Sequence, residues 1–129
     1  MKTYNNKDVY TAAKERIEYI FDEFEHICIS FSGGKDSGTV LNMCIDEARK
    51  RKRKIGVLFI DLEAFYKKTI EFVERMLENN KDVLEPYWIC LPMESPNSLS
   101  YLEPTWIWWD KEKEPIWVRP MPKKEYVIN

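Results

Sequence analysis

Apolar residues recur every three or four positions through Val9, Ala13, Ile17, Ile20, Phe21 and Phe24, which predicts an amphipathic helix over Asp8 to Glu25 with Asp8 near its N-cap. The period then changes. Ile27 to Phe31 is a run of strand length whose one polar residue is Ser30, and it reads as a buried strand. Helical spacing returns with Thr39, Val40, Leu41, Cys44, Ile45 and Ala48 and lasts to about Arg53. A second apolar run, Ile55 to Ile60, precedes a helical segment from about Tyr66 to Asn79, with Ile70, Val73, Met76 and Leu77 on one face. A third strand is expected near Tyr87 to Leu91. Strand and helix alternate, so the expected fold class is α/β: a doubly wound, mainly parallel sheet with flanking helices and right-handed crossovers.

The pattern breaks at Pro92. Six of the seven prolines and four of the five tryptophans lie beyond Leu91, and neither a strand period nor a helix period organises them. The chain thus divides into an α/β core over 1–91 and a Pro/Trp-rich segment over 92–129. That segment is too aromatic for a disordered tail and too broken by proline to build its own core, so it must pack on the core, on a partner or on residues outside this chain.

Between the first strand and the second helix stand Ser32, Gly33, Gly34, Lys35, Asp36 and Ser37. At such a junction the first helical amides lack intrahelical acceptors, and the helix dipole adds roughly half a positive charge. Two glycines let the main chain approach an anion closely, the serines add hydroxyls, and Lys35 adds a cation. Asp36 repels phosphate, so it is expected either as an N-cap or as a partner of Mg2+ and its waters. Two common phosphate motifs do not fit. A Walker A loop would need Gly where Ile29 stands and Ser or Thr where Asp36 stands, and the dinucleotide glycine pattern needs a different register from Gly33, Gly34 and Gly38.

The segment SGGKDS resembles the PP-loop, SGGxDS, of the N-type ATP pyrophosphatase superfamily at each fixed position. The second apolar run ending in Asp61-Leu62-Glu63-Ala64 is similar to the phosphoadenosine phosphosulfate reductase-like branch, where an acid-bearing turn closes the second strand. Trp117-Val118-Arg119-Pro120-Met121-Pro122 resembles a subgroup that includes Ibr-type coactivators of prophage genes. The resemblance covers the amino-terminal part of such proteins and implies an adenine nucleotide alpha hydrolase-like fold that is incomplete here, the chain being a fragment or a shortened version. It implies ATP or a related adenine nucleotide and Mg2+ as ligands, with cleavage between the α- and β-phosphates. Ser32, Gly33, Gly34, Lys35, Asp36 and Ser37 would bind the nucleotide, Lys35 and Asp36 would be catalytic, and Asp36 would face the metal. Asp61 and Glu63 would hold a ribose hydroxyl or a metal-bound water, or else stand solvated at the strand end. A non-catalytic regulatory module is the alternative. Thiol-dependent reduction is less favoured, because the Glu-Cys-Gly motif of those reductases is absent from the sequence.

Ligands in doubly wound sheets bind beyond the carboxyl ends of the strands, which places the loop, the Asp61 to Glu63 turn and Cys90 on the ligand edge and His26 away from it. Arg119 is a further candidate anion clamp with no fixed location. With 129 residues, 44% hydrophobic, 33% charged and a net charge of −2, the composition is that of one soluble domain without overall attraction to nucleic acid. The run Arg49 to Lys54 is the exception. It is preferred as a solvated helix end, with a nucleic-acid contact as the alternative. Tyr101, Trp106, Trp108 and Trp109 suit packing, a protein partner or self-association better than base stacking. No apolar run approaches the roughly 20 residues of a membrane span and no signal-peptide core follows Met1, so a cytoplasmic location is expected. Cys28, Cys44 and Cys90 lie in apolar runs and are expected as buried, inert thiols.

Overall fold

The computed structural model describes residues 6–129. Helix α1, Val9–Glu23, begins at Asp8, whose carboxylate accepts from the Thr11 amide at 2.9 Å and the Thr11 hydroxyl at 2.7 Å. Strand β1 (Cys28–Ser30), helix α2 (Lys35–Arg51), strand β2 (Ile55–Ile60), helix α3 (Lys67–Glu78) and strand β3 (Leu84–Ile89) follow in the expected alternation. The class is α/β with a mainly parallel, helix-flanked sheet, part of a larger domain type.

The strands lie in the order β1, β2, β3, and then a fourth, β6 (Val127–Ile128), all parallel. Both crossovers step in the same direction along the sheet, so with the usual right hand they carry α2 and α3 to the same face. Leu41, Ile45 and Ala48 of α2 and Val73 and Leu77 of α3 meet Ile55, Val57, Phe59 and Trp88 there, with the Phe59 and Trp88 rings edge-to-face at 5.0 Å. Among the described residues no reversal of strand order sends a helix to the other face. That face carries Cys28, Gly56, Leu58 and Tyr87, all at least partly exposed. The expectation of a fully buried first strand is therefore corrected: β1 is an edge strand and every second residue faces the uncovered side. Cys28 is exposed for the same reason, while Cys44 and Cys90 are buried as expected.

Beyond Leu91 the chain is more regular than its composition indicated. Strands β4 (Met93–Pro96) and β5 (Thr105–Trp108) form an antiparallel hairpin, braced by the Trp108 indole donating to the Ser95 hydroxyl at 2.7 Å. A 3-10 helix over Lys111–Ile116 leads back toward β6. Pro86 shows how β3 accommodates its proline. Trp88 and Cys90 donate to the β6 side, to the Tyr126 and Ile128 carbonyls, so Pro86 lies in the same register just before β6 begins, where no acceptor awaits an amide.

The basic run is a bracket between helices, more than a solvated end. Arg49 makes a two-pronged pair with Asp82, Arg51 pairs with Glu47 and Asp22, and Arg53 donates to the carbonyls of Phe21, Phe24 and Glu25 at the end of α1. Lys52 adopts a left-handed conformation (φ 54°) and ends α2. Among the described residues, no helix is long and apolar enough to cross a membrane.

Arg53→Met keeps the aliphatic stem and removes three donors to otherwise unsatisfied helix-end carbonyls. We expect it to lower the unfolding free energy by about 2 kcal/mol in urea titrations, and an unchanged midpoint would show that water replaces the guanidinium without loss.

Candidate functional site

The loop after β1 has the geometry its glycines foreshadow. Gly33 has φ +75°, and a Cβ built on it would lie 2.8 Å from the Thr69 methyl and 3.0 Å from a Val73 methyl of α3. Both conformation and space thus demand glycine. Gly34 is the N-cap of α2, and the first intrahelical bond runs from the Gly38 amide to the Gly34 carbonyl at 2.9 Å. The amides of Lys35, Asp36 and Ser37 precede that bond, so they lack intrahelical acceptors and lie at the positive end of the dipole. The Ser32 and Ser37 hydroxyls lie 2.9 Å apart, Ser37 donates to the Gly34 carbonyl at 3.2 Å, and the Gly34 amide reaches the Ser32 hydroxyl at 3.4 Å. The hydroxyls therefore cross-brace the loop.

The helix starts at Lys35, ahead of the apolar spacing that begins at Thr39. That excludes the N-cap role for Asp36, which sits in the first turn, fully in solvent and 4.0 Å from the Lys35 ammonium. Among the described residues no group of three His, Cys, Asp or Glu side chains is placed to hold a metal ion.

The acids after β2 are arranged differently from the solvated or ligand-facing carboxylates expected. Asp61 and Glu63 are both buried. Asp61 accepts from the Trp88 indole at 2.7 Å, from the Glu63 amide at 2.9 Å and from the Arg119 guanidinium. Glu63 accepts from the amides of Val118 at 3.0 Å and Trp109 at 3.2 Å, while the Trp109 indole donates to the Asp61 carbonyl at 2.6 Å. The tail has thus taken the positions where a ribose hydroxyl or a metal-bound water was expected. Arg119, whose place the sequence left open, is an intramolecular clamp on Asp61 and lies over the Trp109 ring, 5.0 Å from its centroid.

The loop and the acid turn share the carboxyl edge of one parallel sheet, and a known domain matches this stretch. The Phosphoadenosine phosphosulfate reductase domain profile covers residues 26–97, more than half of the chain. The chain belongs to the phosphoadenosine phosphosulfate reductase domain family. It is 43% identical over 117 residues to "Uncharacterized protein YbdN" of Escherichia coli (strain K12), a match covering 90% of this chain and 28% of that protein. The chain therefore spans little more than a quarter of the length of that curated relative. No solved structure matches it.

Within this reductase-domain family the matched stretch contains the loop and both acids but ends at residue 97, so Trp109, Val118 and Arg119 lie outside it. The sequence assigned Trp109 to packing, a protein partner or self-association, and gave Val118 no role beyond its place in the Trp117 to Pro122 motif. The available signal was weak: a pair of acids at a strand end, and one arginine among prolines. Cys90 closes the same edge. Burial first, and then the neighbouring Asp61 carboxylate, pushes its thiol up to about 12, so it stays protonated at neutral pH.

Two outcomes test this geometry. Gly33→Ala is expected to lower stability by about 2–4 kcal/mol, from the left-handed φ and the contact with Thr69. Gly34→Ala, whose Cβ would meet the Ser32 hydroxyl only at 3.4 Å, should cost under about 1 kcal/mol. Thermal melts of both variants compare the two, and equal losses would contradict the loop conformation. Separately, iodoacetamide at pH 8 should label Cys28 of the native protein and leave Cys90 unlabelled. Labelling of Cys90 at the Cys28 rate, read by peptide mass spectrometry, would show that the tail does not cover it.

Proposed function

We propose that this domain binds the polyphosphate of ATP or a related adenylyl nucleotide over Ser32 to Ser37, with Mg2+, and supports cleavage between the α- and β-phosphates. The observation that carries the reading is the loop itself. A left-handed Gly33 precedes a helix N-terminus at which the amides of Lys35, Asp36 and Ser37 have no intrahelical acceptor, an arrangement suited to an anion. The family match supports a nucleotide-related domain.

In this reading the open amides and the Lys35 ammonium take up charge on the departing pyrophosphate, where preorganised donors lower a barrier most. Asp36, exposed beside Lys35, suits a carboxylate that touches a metal-bound water, since Mg2+ keeps several waters and is held largely by the phosphates. Mg2+, when bound, neutralises phosphate charge and polarises the bond to the leaving group. Thiol-dependent reduction is disfavoured by the buried, protonated Cys90.

A second reading, nucleotide binding without turnover in a regulatory module, draws on the tip of the β4–β5 hairpin. Leu99, Tyr101 and Leu102 are 98%, 100% and 91% exposed there, a concentration of apolar surface suited to a protein partner.

Incubation with α-labelled ATP and Mg2+ separates the two. AMP with pyrophosphate is expected for the first reading, and binding without product for the second. Gly34→Val, which fills the approach to the amides, and Ser37→Ala should each weaken ATP binding by roughly tenfold, the worth of a charge-assisted hydrogen bond. Unchanged affinity in both variants removes the nucleotide assignment.

A further inference from the structure

The tail is bound to the acid turn, and the acid turn leads directly into the helix that seats the phosphate loop. Glu63 joins two amides of the tail, Trp109 and Val118, through its two carboxylate oxygens, and Arg119 holds Asp61. Glu63 and Trp109 both stand in the left-handed region, with φ 59° and 55°, and they are hydrogen-bonded to each other. Non-glycine residues persist in that region where their surroundings hold them there. From Glu63 the chain reaches Tyr66, whose carbonyl accepts from the amides of Thr69 at 2.9 Å and Ile70 at 3.2 Å to start α3. Thr69 and Val73 then press their methyls against Gly33, while Phe72 lies against Gly38 and packs edge-to-face on Phe31 at 6.0 Å. One continuous set of contacts therefore runs from the tail, through the acid turn and α3, to both ends of the loop.

We infer that Glu63 and Arg119 are positioning residues for the phosphate loop: by fixing the acid turn they set the start of α3, and α3 sets the conformation of Gly33 and the amides that follow it. This rests on the nucleotide reading above for its purpose, but its geometry does not. Neither residue needs to touch a nucleotide. The tail and the loop are coupled, so occupation of the loop tightens the tail and loosening the tail weakens the loop.

The test uses the 129-residue chain with Glu63→Gln, Arg119→Lys and Arg119→Ala, and reads amide hydrogen exchange without ligand together with magnesium pyrophosphate binding by calorimetry. Glu63→Gln keeps the shape but turns one acceptor into a donor, and Arg119→Lys keeps the charge but not the fork. Should Arg119→Ala fail to fold, the two conservative variants carry the test. Exchange at Thr69, Ile70 and Gly38 is expected to speed up by about tenfold, with the Arg53 amide at the far end of α2 unchanged, and pyrophosphate binding is expected to weaken by about the same factor. Faster exchange confined to residues 105–128 would overturn the inference, as would wild-type pyrophosphate affinity in every variant. If the wild-type chain binds no pyrophosphate but exchange still spreads to Gly38, the positioning role stands and the nucleotide reading falls.

Discussion

The carboxyl edge of this sheet depends on one buried carboxylate. Asp61 lies at the end of β2 with its oxygens held by the Trp88 indole, the Glu63 amide and Arg119, while its own amide donates to the Ile89 carbonyl at 2.9 Å. A carboxylate removed from water without such partners costs several kcal/mol, and removing one partner of a buried pair costs about 3–5 kcal/mol. That constraint explains why a proline-rich tail folds back at all. With only two residues, β6 could not hold its place through backbone pairing alone. The anchors at Trp109, Val118 and Arg119 bring the tail to the edge, and Tyr126 adds a stacked contact on Trp88 at 6.5 Å.

The same edge uses two opposite arrangements within a few residues of each other. In the loop, the amides of Lys35, Asp36 and Ser37 have no intrahelical acceptor, which suits an anion arriving from outside. In the acid turn every carboxylate oxygen is satisfied from inside the chain, which suits rigidity. Between them stands α3, whose methyls close on Gly33 and whose Phe72 ring closes on Gly38. The loop is therefore shaped from behind by apolar contact and left polar in front. Cys90, held protonated beside Asp61, belongs to the satisfied interior.

Much of this was legible because the signals were local. Helical and strand periods reflect contacts within one element, and they located α1, β2 and α3 to within a few residues. The turn chemistry of Gly33 and Gly34 is local as well, since a left-handed φ and an open helix start are properties of a few consecutive residues. The basic run misled for the complementary reason: a string of cations looks like a solvated end until Asp22, Asp82 and the α1 carbonyls are brought against it. The edge position of β1, and with it the exposure of Cys28, follows from which strands pair, a fact no residue in β1 carries.

By itself the sequence determined the α/β alternation, the phosphate-type loop and its place between strand and helix, because each is set by side-chain period or backbone freedom over short spans. Only the tertiary structure decided that Asp61 and Glu63 turn inward, that Arg119 meets Asp61, and that the tail adds a strand beside β3. Those outcomes depend on pairings between residues 39 to 58 positions apart, where burial of charge and strand pairing select one arrangement and no local pattern records the choice.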